Sequence, residues 1–346
     1  MKRTLTLAFL ALLLSLPLWM SSLYVLHILI MTGIFIIAAM SLNLLLGYTG
    51  QLSLGHVAFF GIGAYTSSLV SLGFDVHLLP DWRVALAPKP VWLGMLLGVL
   101  LAAGCGWVIG RIAFKVRGAY FVIVSVSFAE VVRLIALNWL ELTQGPMALN
   151  NIPVLRLGIP DWFEFAFLRK PANYYLVLTV AILAYLLIQR LVHSRAGRAM
   201  VALRENEALA ASVGIDVTRY LVLATFVSAG IAGAAGALYA HYVRIVDPEV
   251  FSFIYTVTMV IMVVTGGKGT LLGPIVGGLL FGLLPEILRA FGIPPEIQWV
   301  SYGVLMILVV SFLPAGIVPA LAGWWQQRGD AAAQPAVAAS SRPPQP

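Results

Sequence analysis

The chain has 346 residues, 61% of them hydrophobic and only 10% charged. A soluble domain carries roughly 25% charged residues, so this composition cannot coat a water-facing surface and excludes a soluble enzyme, a nucleic-acid-binding protein and a disordered scaffold. The net charge of +7 follows membrane topology, and the single cysteine, Cys105, cannot close an internal disulfide.

Ten apolar stretches approach the roughly 20 residues needed to cross a bilayer. They cover 5–20, 22–46, 55–73, 91–111, 118–138, 173–192, 220–241, 252–265, 271–290 and 297–318. Their continuity predicts helices, and the period-2 alternation of a membrane barrel is absent. Lys2 and Arg3 precede the first stretch as in a signal peptide. No small-x-small cleavage site follows before Trp19, so the stretch is expected to remain as a helix.

Alternating the spans from a cytoplasmic N-terminus puts most basic residues inside, including Arg111, Lys115, Arg117, Arg190, Arg195, Arg198, Arg204, Arg219 and Lys268. Asp75, Glu141, Glu164, Asp247 and Glu249 fall outside. The expectation is an all-α, polytopic integral membrane protein with about ten transmembrane helices and both termini cytoplasmic. Its transmembrane domain covers 1–322, with an outer loop at 139–172, an inner loop at 193–219 and a disordered tail at 323–346.

Two glycine-rich breaks interrupt the apolar pattern. Gly47-Tyr-Thr49-Gly-Gln51-Leu-Ser53-Leu-Gly-His56 suits either a polar turn beside a permeation route or an ordinary inter-helix loop. The candidate pathway and gating residues are Asn43, Thr49, Gln51, Ser53, His56, Ser125, Lys268 and Thr270. His56 reads as a hydrogen-bonded packing residue before a proton relay. Gly266-Gly-Lys268-Gly-Thr270 lacks the strand and lysine-serine ending of a phosphate loop. The spacing Gly269/Gly273/Gly277 predicts close helix packing. Both breaks fall on one side, so they do not form an inverted pair. Asn43, Ser125, Ser127, Thr225 and Ser228 are among the few polar residues within the spans.

Glu130/Arg133 and Glu286/Arg289 are i,i+3 intramembrane charge pairs, read as mutual neutralisation ahead of proton coupling. In the inner loop, 203–213 has helix-forming composition, Gly214 is placed as its C-terminal cap and Asp216 as the cap of the next helix. No clustered Asp/His/Cys set suggests a metal site or a membrane enzyme.

The stretch Arg204-Glu-Asn-Glu-Ala-Leu-Ala-Ala-Ser-Val-Gly214 resembles the EAA-type coupling segment of ABC importer permeases. Gly47 to His56, Arg117-Gly-Ala-Tyr-Phe121 with Glu130 and Arg133, and Gly266 to Pro274 resemble the branched-chain amino-acid permeases, and within them the M-type subunit of the leucine/isoleucine/valine importer. Glu207-Ala-Leu replaces a strict Glu-Ala-Ala, and the glycine lies one residue late.

The resemblance implies that Arg204, Glu205, Asn206, Glu207, Ala208, Ala211 and Gly214 couple to an ATPase. It further implies a chain that performs no covalent chemistry and holds no cofactor, with ATP and magnesium on its partners. Those partners would be a homologous permease, two cytoplasmic ATPase subunits and a periplasmic solute-binding protein in a bacterial inner membrane. The solute would be a branched-chain amino acid. The rival readings are a urea or short-amide permease of the same family, and an ion-coupled transporter using Glu130 or Glu286.

Overall fold

The structure, a computed structural model, describes residues 15–17, 22–79, 82–114, 119–159 and 163–324. Its principal helices are α1 (Leu23–Leu46), α2 (Val57–Leu72), α3 (Val91–Ala113), α4 (Ala119–Asn138), α5 (Leu140–Thr143), α6 (Lys170–Val192), α7 (Arg195–Glu205), α8 (Glu207–Ser212), α9 (Val217–Val243), α10 (Phe253–Gly266), α11 (Gly273–Ala290) and α12 (Pro295–Phe312). Six are long and apolar enough to cross a membrane, namely α1, α3, α4, α6, α9 and α11. The shorter apolar helices are α2, α10 and the 300–309 part of α12. These account for nine of the ten stretches. The first, 5–20, falls outside the described residues except for 15–17, as do residues 325–346 of the expected tail.

Apolar residues surround α1 and α9 on all sides, and both are buried through most of their length. They form the centre of the bundle with α2. Small residues set the approach of their neighbours. Gly98 of α3 meets the Gly63 carbonyl of α2, and a Cβ at Gly236 of α9 would overlap the Phe60 carbonyl. On α11, Gly277 rests on the Met262 carbonyl of α10, while Gly278 and Gly282 face Ile36 and Thr32 of α1. The predicted triplet is therefore only partly a packing stripe. Gly273 and Gly277 serve it, whereas Gly269 lies before the helix with φ +75°. Pro285 inside α11 deprives the Phe281 carbonyl of its helical donor, and the Tyr302 hydroxyl of α12 supplies one at 3.1 Å.

The loops at the face opposite α7 and α8 contain structure that the sequence reading left irregular. β1 (Phe74–Leu79) pairs antiparallel with β2 (Trp82–Leu86), and β3 (Arg156–Ile159) with β4 (Phe163–Ala166). The Asp75 carboxylate accepts from Arg83 across the first hairpin, which holds its pKa below the usual carboxylate value. The backbone N–H of His77 donates to Glu141 of α5 at 3.4 Å. Loop 139–172 is also tied to the end of α9. Leu149 bridges Val246, and Arg244 Nε donates to the Ile152 carbonyl at 3.1 Å.

Candidate functional site

The two glycine breaks meet. Asn43, in the last turn of α1, donates through Nδ2 to the Thr270 carbonyl at 2.9 Å and accepts from the Gly269 N–H at 2.9 Å. Arg204, at the end of α7, donates through Nη1 to the Gly47 carbonyl at 2.8 Å. Its side chain lies over Gly50, whose φ of +74° and lack of a Cβ admit that approach. One asparagine and one arginine thus fasten the end of α1, the segment before α11 and the 193–219 loop at one point. Each bond satisfies a backbone group that would otherwise be unpaired at a helix end. Arg204 also holds Glu205, with Nη2 to Oε1 at 2.6 Å.

The other half of the first break is sealed by helix packing. Ser125 Oγ of α4 accepts from the N–H groups of Leu54 and Gly55 at 3.2 and 3.3 Å. Thr256 Oγ1 of α10 accepts from the Val57 N–H at 3.1 Å. These hydroxyls cap the start of α2 in place of a local capping side chain. His56 is fully buried, with Nε2 2.8 Å from Ser41 Oγ. Its Nδ1 has no partner among the described residues, which fits packing better than a relay. Replacing Ser125 with Ala leaves one buried and one half-buried N–H group without an acceptor, at a cost of about 1–3 kcal/mol. A lower thermal midpoint in detergent for Ser125→Ala, and a near-normal one for Ser125→Thr, are the expected results.

The other candidate pathway residues divide between local bonds, buried positions and the surface. Thr49 donates to the Leu45 carbonyl, Thr270 donates to the Gly267 carbonyl, Ser53 is buried, Gln51 is half-buried and Lys268 is exposed. The charge pairs lie apart from this region. Arg133 Nη2 is 2.8 Å from Glu130 Oε1, and Arg133 Nη1 is 3.8 Å from Glu249 Oε1. Arg289 Nη1 is 3.3 Å from Glu286 and 3.0 Å from the Tyr24 hydroxyl, which itself donates to Glu286. The sequence reading missed Tyr24, Thr256 and the role of Glu249, because each acts across a long sequence separation.

The inner loop differs from the expected single helix over 203–213. It breaks at Asn206, which is extended (φ −159°) between α7 and α8 and accepts from the Leu209 N–H at 2.9 Å. Asparagine side chains compete well for such N–H groups, so a cap wins over helix continuation. Gly214 has the left-handed φ of +87° expected of it. The Ile215 N–H reaches the Ala210 carbonyl at 3.1 Å and the Gly214 N–H reaches Ala211 at 3.0 Å, the paired bonds of a glycine-terminated helix. Asp216 then caps α9 through the Arg219 N–H at 3.0 Å. Ala210 and Leu203 anchor this loop against Phe114, Phe121 and Leu221. Ala208, Leu209, Ala211 and Val213 are exposed, with Leu209 at 63% and Val213 at 71%. Among the described residues, no group of three or more His, Cys, Asp or Glu is placed to hold a metal.

Comparison with known proteins points to one family. The family model described as the permease component of branched-chain amino acid transport systems matches residues 24–310. The high-affinity branched-chain amino acid transport system permease protein LivM of Salmonella typhimurium is 32% identical over 307 residues, covering 84% of this chain and 68% of that protein. The corresponding LivH protein of Escherichia coli is 27% identical over 292 residues, covering 81% and 89%. The fructose import permease protein FrcC of Rhizobium meliloti is 25% identical over 281 residues, covering 76% and 77%. No solved structure matches.

Proposed function

Because the chain belongs to the permease family of branched-chain amino acid transport systems, we propose that it is the membrane-spanning subunit of an ATP-driven importer of branched-chain amino acids, fed by a binding protein. The face bearing α7 and α8 is cytoplasmic and docks one of two ATPase subunits, which carry ATP and magnesium. A homologous permease completes the pathway, and the hairpin face receives the solute-binding protein. The setting is the bacterial inner membrane, with both termini in the cytoplasm.

The observation that carries this reading is α8. It is capped at both ends and anchored by buried Ala210, and it presents Leu209 and Val213 to solvent. Exposed apolar side chains on a rigid, polar-flanked knob suit insertion into a groove of a protein partner. The rival ion-coupled reading needs a carboxylate free to exchange protons, whereas Glu130 and Glu286 are each paired with an arginine.

Leu209→Asp with Val213→Asp should release the ATPases on purification in detergent while the two permeases stay together. Loss of two anchors at about 2 kcal/mol each is ample for this. Uptake into vesicles loaded with ATP should survive collapse of the proton gradient. Wild-type ATPase retention by the double variant, or uptake that stops with the gradient, would remove the reading. Binding of leucine, isoleucine or valine rather than urea or short amides by the cognate binding protein tests the solute.

A further inference from the structure

The outward face of α4 differs from those of the other peripheral helices. α3 exposes Trp92, Leu96, Leu100, Leu101 and Val108, and α12 exposes Val300, Val304, Ile307 and Leu308, surfaces suited to lipid chains. At the matching depth α4 exposes Ser127 and Glu130 among the apolar Ile123, Val131 and Leu134. The helix has 20 residues and is therefore about 30 Å long, and Glu130 lies close to its middle. The Glu130 side chain is 51% exposed although Arg133 binds it. A charged group at that depth costs on the order of 2.5–3.5 kcal/mol if it faces lipid.

A second irregularity lies beside it. After α9 the chain turns back, and a 3-10 turn over Pro248–Phe251 packs against α4. This turn sits within the length of α2, since the Phe251 ring covers Gly61 and stacks on Tyr65 with centroids 5.5 Å apart. Glu249, on the turn, reaches Arg133 at 3.8 Å with its side chain 72% exposed. Non-helical backbone at membrane depth is tolerated only inside protein or beside water. Exposed Glu249 and exposed Asp247 point to water. Glu130 and Glu249 against the one Arg133 guanidinium leave this cluster with a net negative charge.

Taking the importer reading as its premise, we propose that α4 and the 248–251 turn form the water-lined wall of the solute pathway, where Ser127, Glu130, Arg133 and Glu249 meet a passing small zwitterion and draw its ammonium end. Neither glycine break supplies this wall.

The test uses the complete importer in sealed vesicles, with Cys105→Ser removing this chain's single native thiol and the complex without an introduced cysteine giving the background labelling of the other subunits. Ser127→Cys, and Ile123→Cys on the same face, should react with membrane-impermeant methanethiosulfonates. Val304→Cys on α12 should stay silent. Relative to the same pair of reagents on a free thiol, the trimethylammonium reagent should be favoured by a further factor of roughly ten, and Glu130→Gln with Glu249→Gln should erase that excess. Excess transported amino acid should protect both thiols. Silence at both positions, whether from lipid or from a dry contact with the second permease, overturns the proposal, as does a reagent ratio no higher than that of a free thiol. Uptake by the wild-type complex is read in the same vesicles. Failure of the importer reading therefore shows as no ATP-driven uptake, and failure of the wall shows as silent thiols in vesicles that transport.

Discussion

Replacing Arg204 with Met should cut amino-acid uptake per ATP hydrolysed at least tenfold while leaving the complex assembled. The substitution keeps the aliphatic stem over Gly50 but removes the donor to the Gly47 carbonyl. A hydrogen bond from a charged group contributes about 1.5–3 kcal/mol, and about 1.4 kcal/mol already shifts an equilibrium tenfold. The docking surface of α8 lies beyond the Asn206 break and is untouched, so the ATPases should still bind and hydrolyse. Arg204→Lys should recover only part of the coupling, because one ammonium cannot reproduce the planar fork that holds Gly47 and Glu205 together. Arg198→Met, on the same helix and away from the breaks, is the control. Uptake and ATP hydrolysis are measured together in vesicles. A wild-type ratio for Arg204→Met would mean that this junction transmits nothing.

Gly236→Val should have the largest effect on folding. Its Cβ would overlap the Phe60 carbonyl, a backbone atom that cannot swing aside. Overpacking a close-packed interior costs about 1–3 kcal/mol where side chains can yield, and more is expected where backbone must move. The contact joins α2 to α9 at the centre of the bundle, so the variant should accumulate poorly and lose its monodisperse peak in detergent. Gly104→Val on α3, where a Cβ would meet nothing within 4 Å, should accumulate normally. Equal yields would show that α2 and α9 can separate without loss of the fold.

The spans were legible because apolar continuity is a local property, and helix ends fell close to the predicted ones at Leu46, Asn138 and Val192. Gly214 and Asp216 were legible for the same reason, since each caps through residues within a few positions. Asn206 was not, because its side chain serves a helix interior poorly and a cap well, and only the flanking turns decide which occurs. Strands such as Phe74–Leu79 are too short for their alternation to stand out among prolines and charged residues. The junction at Gly47, Gly269, Asn43 and Arg204 joins residues 157 and 226 positions apart. Periodicity carries no record of such pairing. Nor does the sequence show that Ser125 and Asn43 satisfy backbone groups at the breaks, because a small polar side chain there serves backbone as readily as it meets solute.

The brevity of α2 and α10 has a consequence for the surrounding lipid. With 16 and 14 residues, they measure about 24 and 21 Å, several ångströms short of a hydrocarbon core of about 30 Å. A helix this short on the perimeter would force the bilayer to thin or the helix to tilt. Here α2 is enclosed by α1, α3, α4 and α9, while the perimeter includes α3 and α6 with 23 residues each. Around α2, lipid therefore meets helices of ordinary span, and its shortfall lies in the interior, where the capped break replaces missing turns. Hydrophobic matching and the depth of the breaks are thereby set by different helices. Acyl-chain length can then vary by a few carbons without displacing the junction that Arg204 and Asn43 hold.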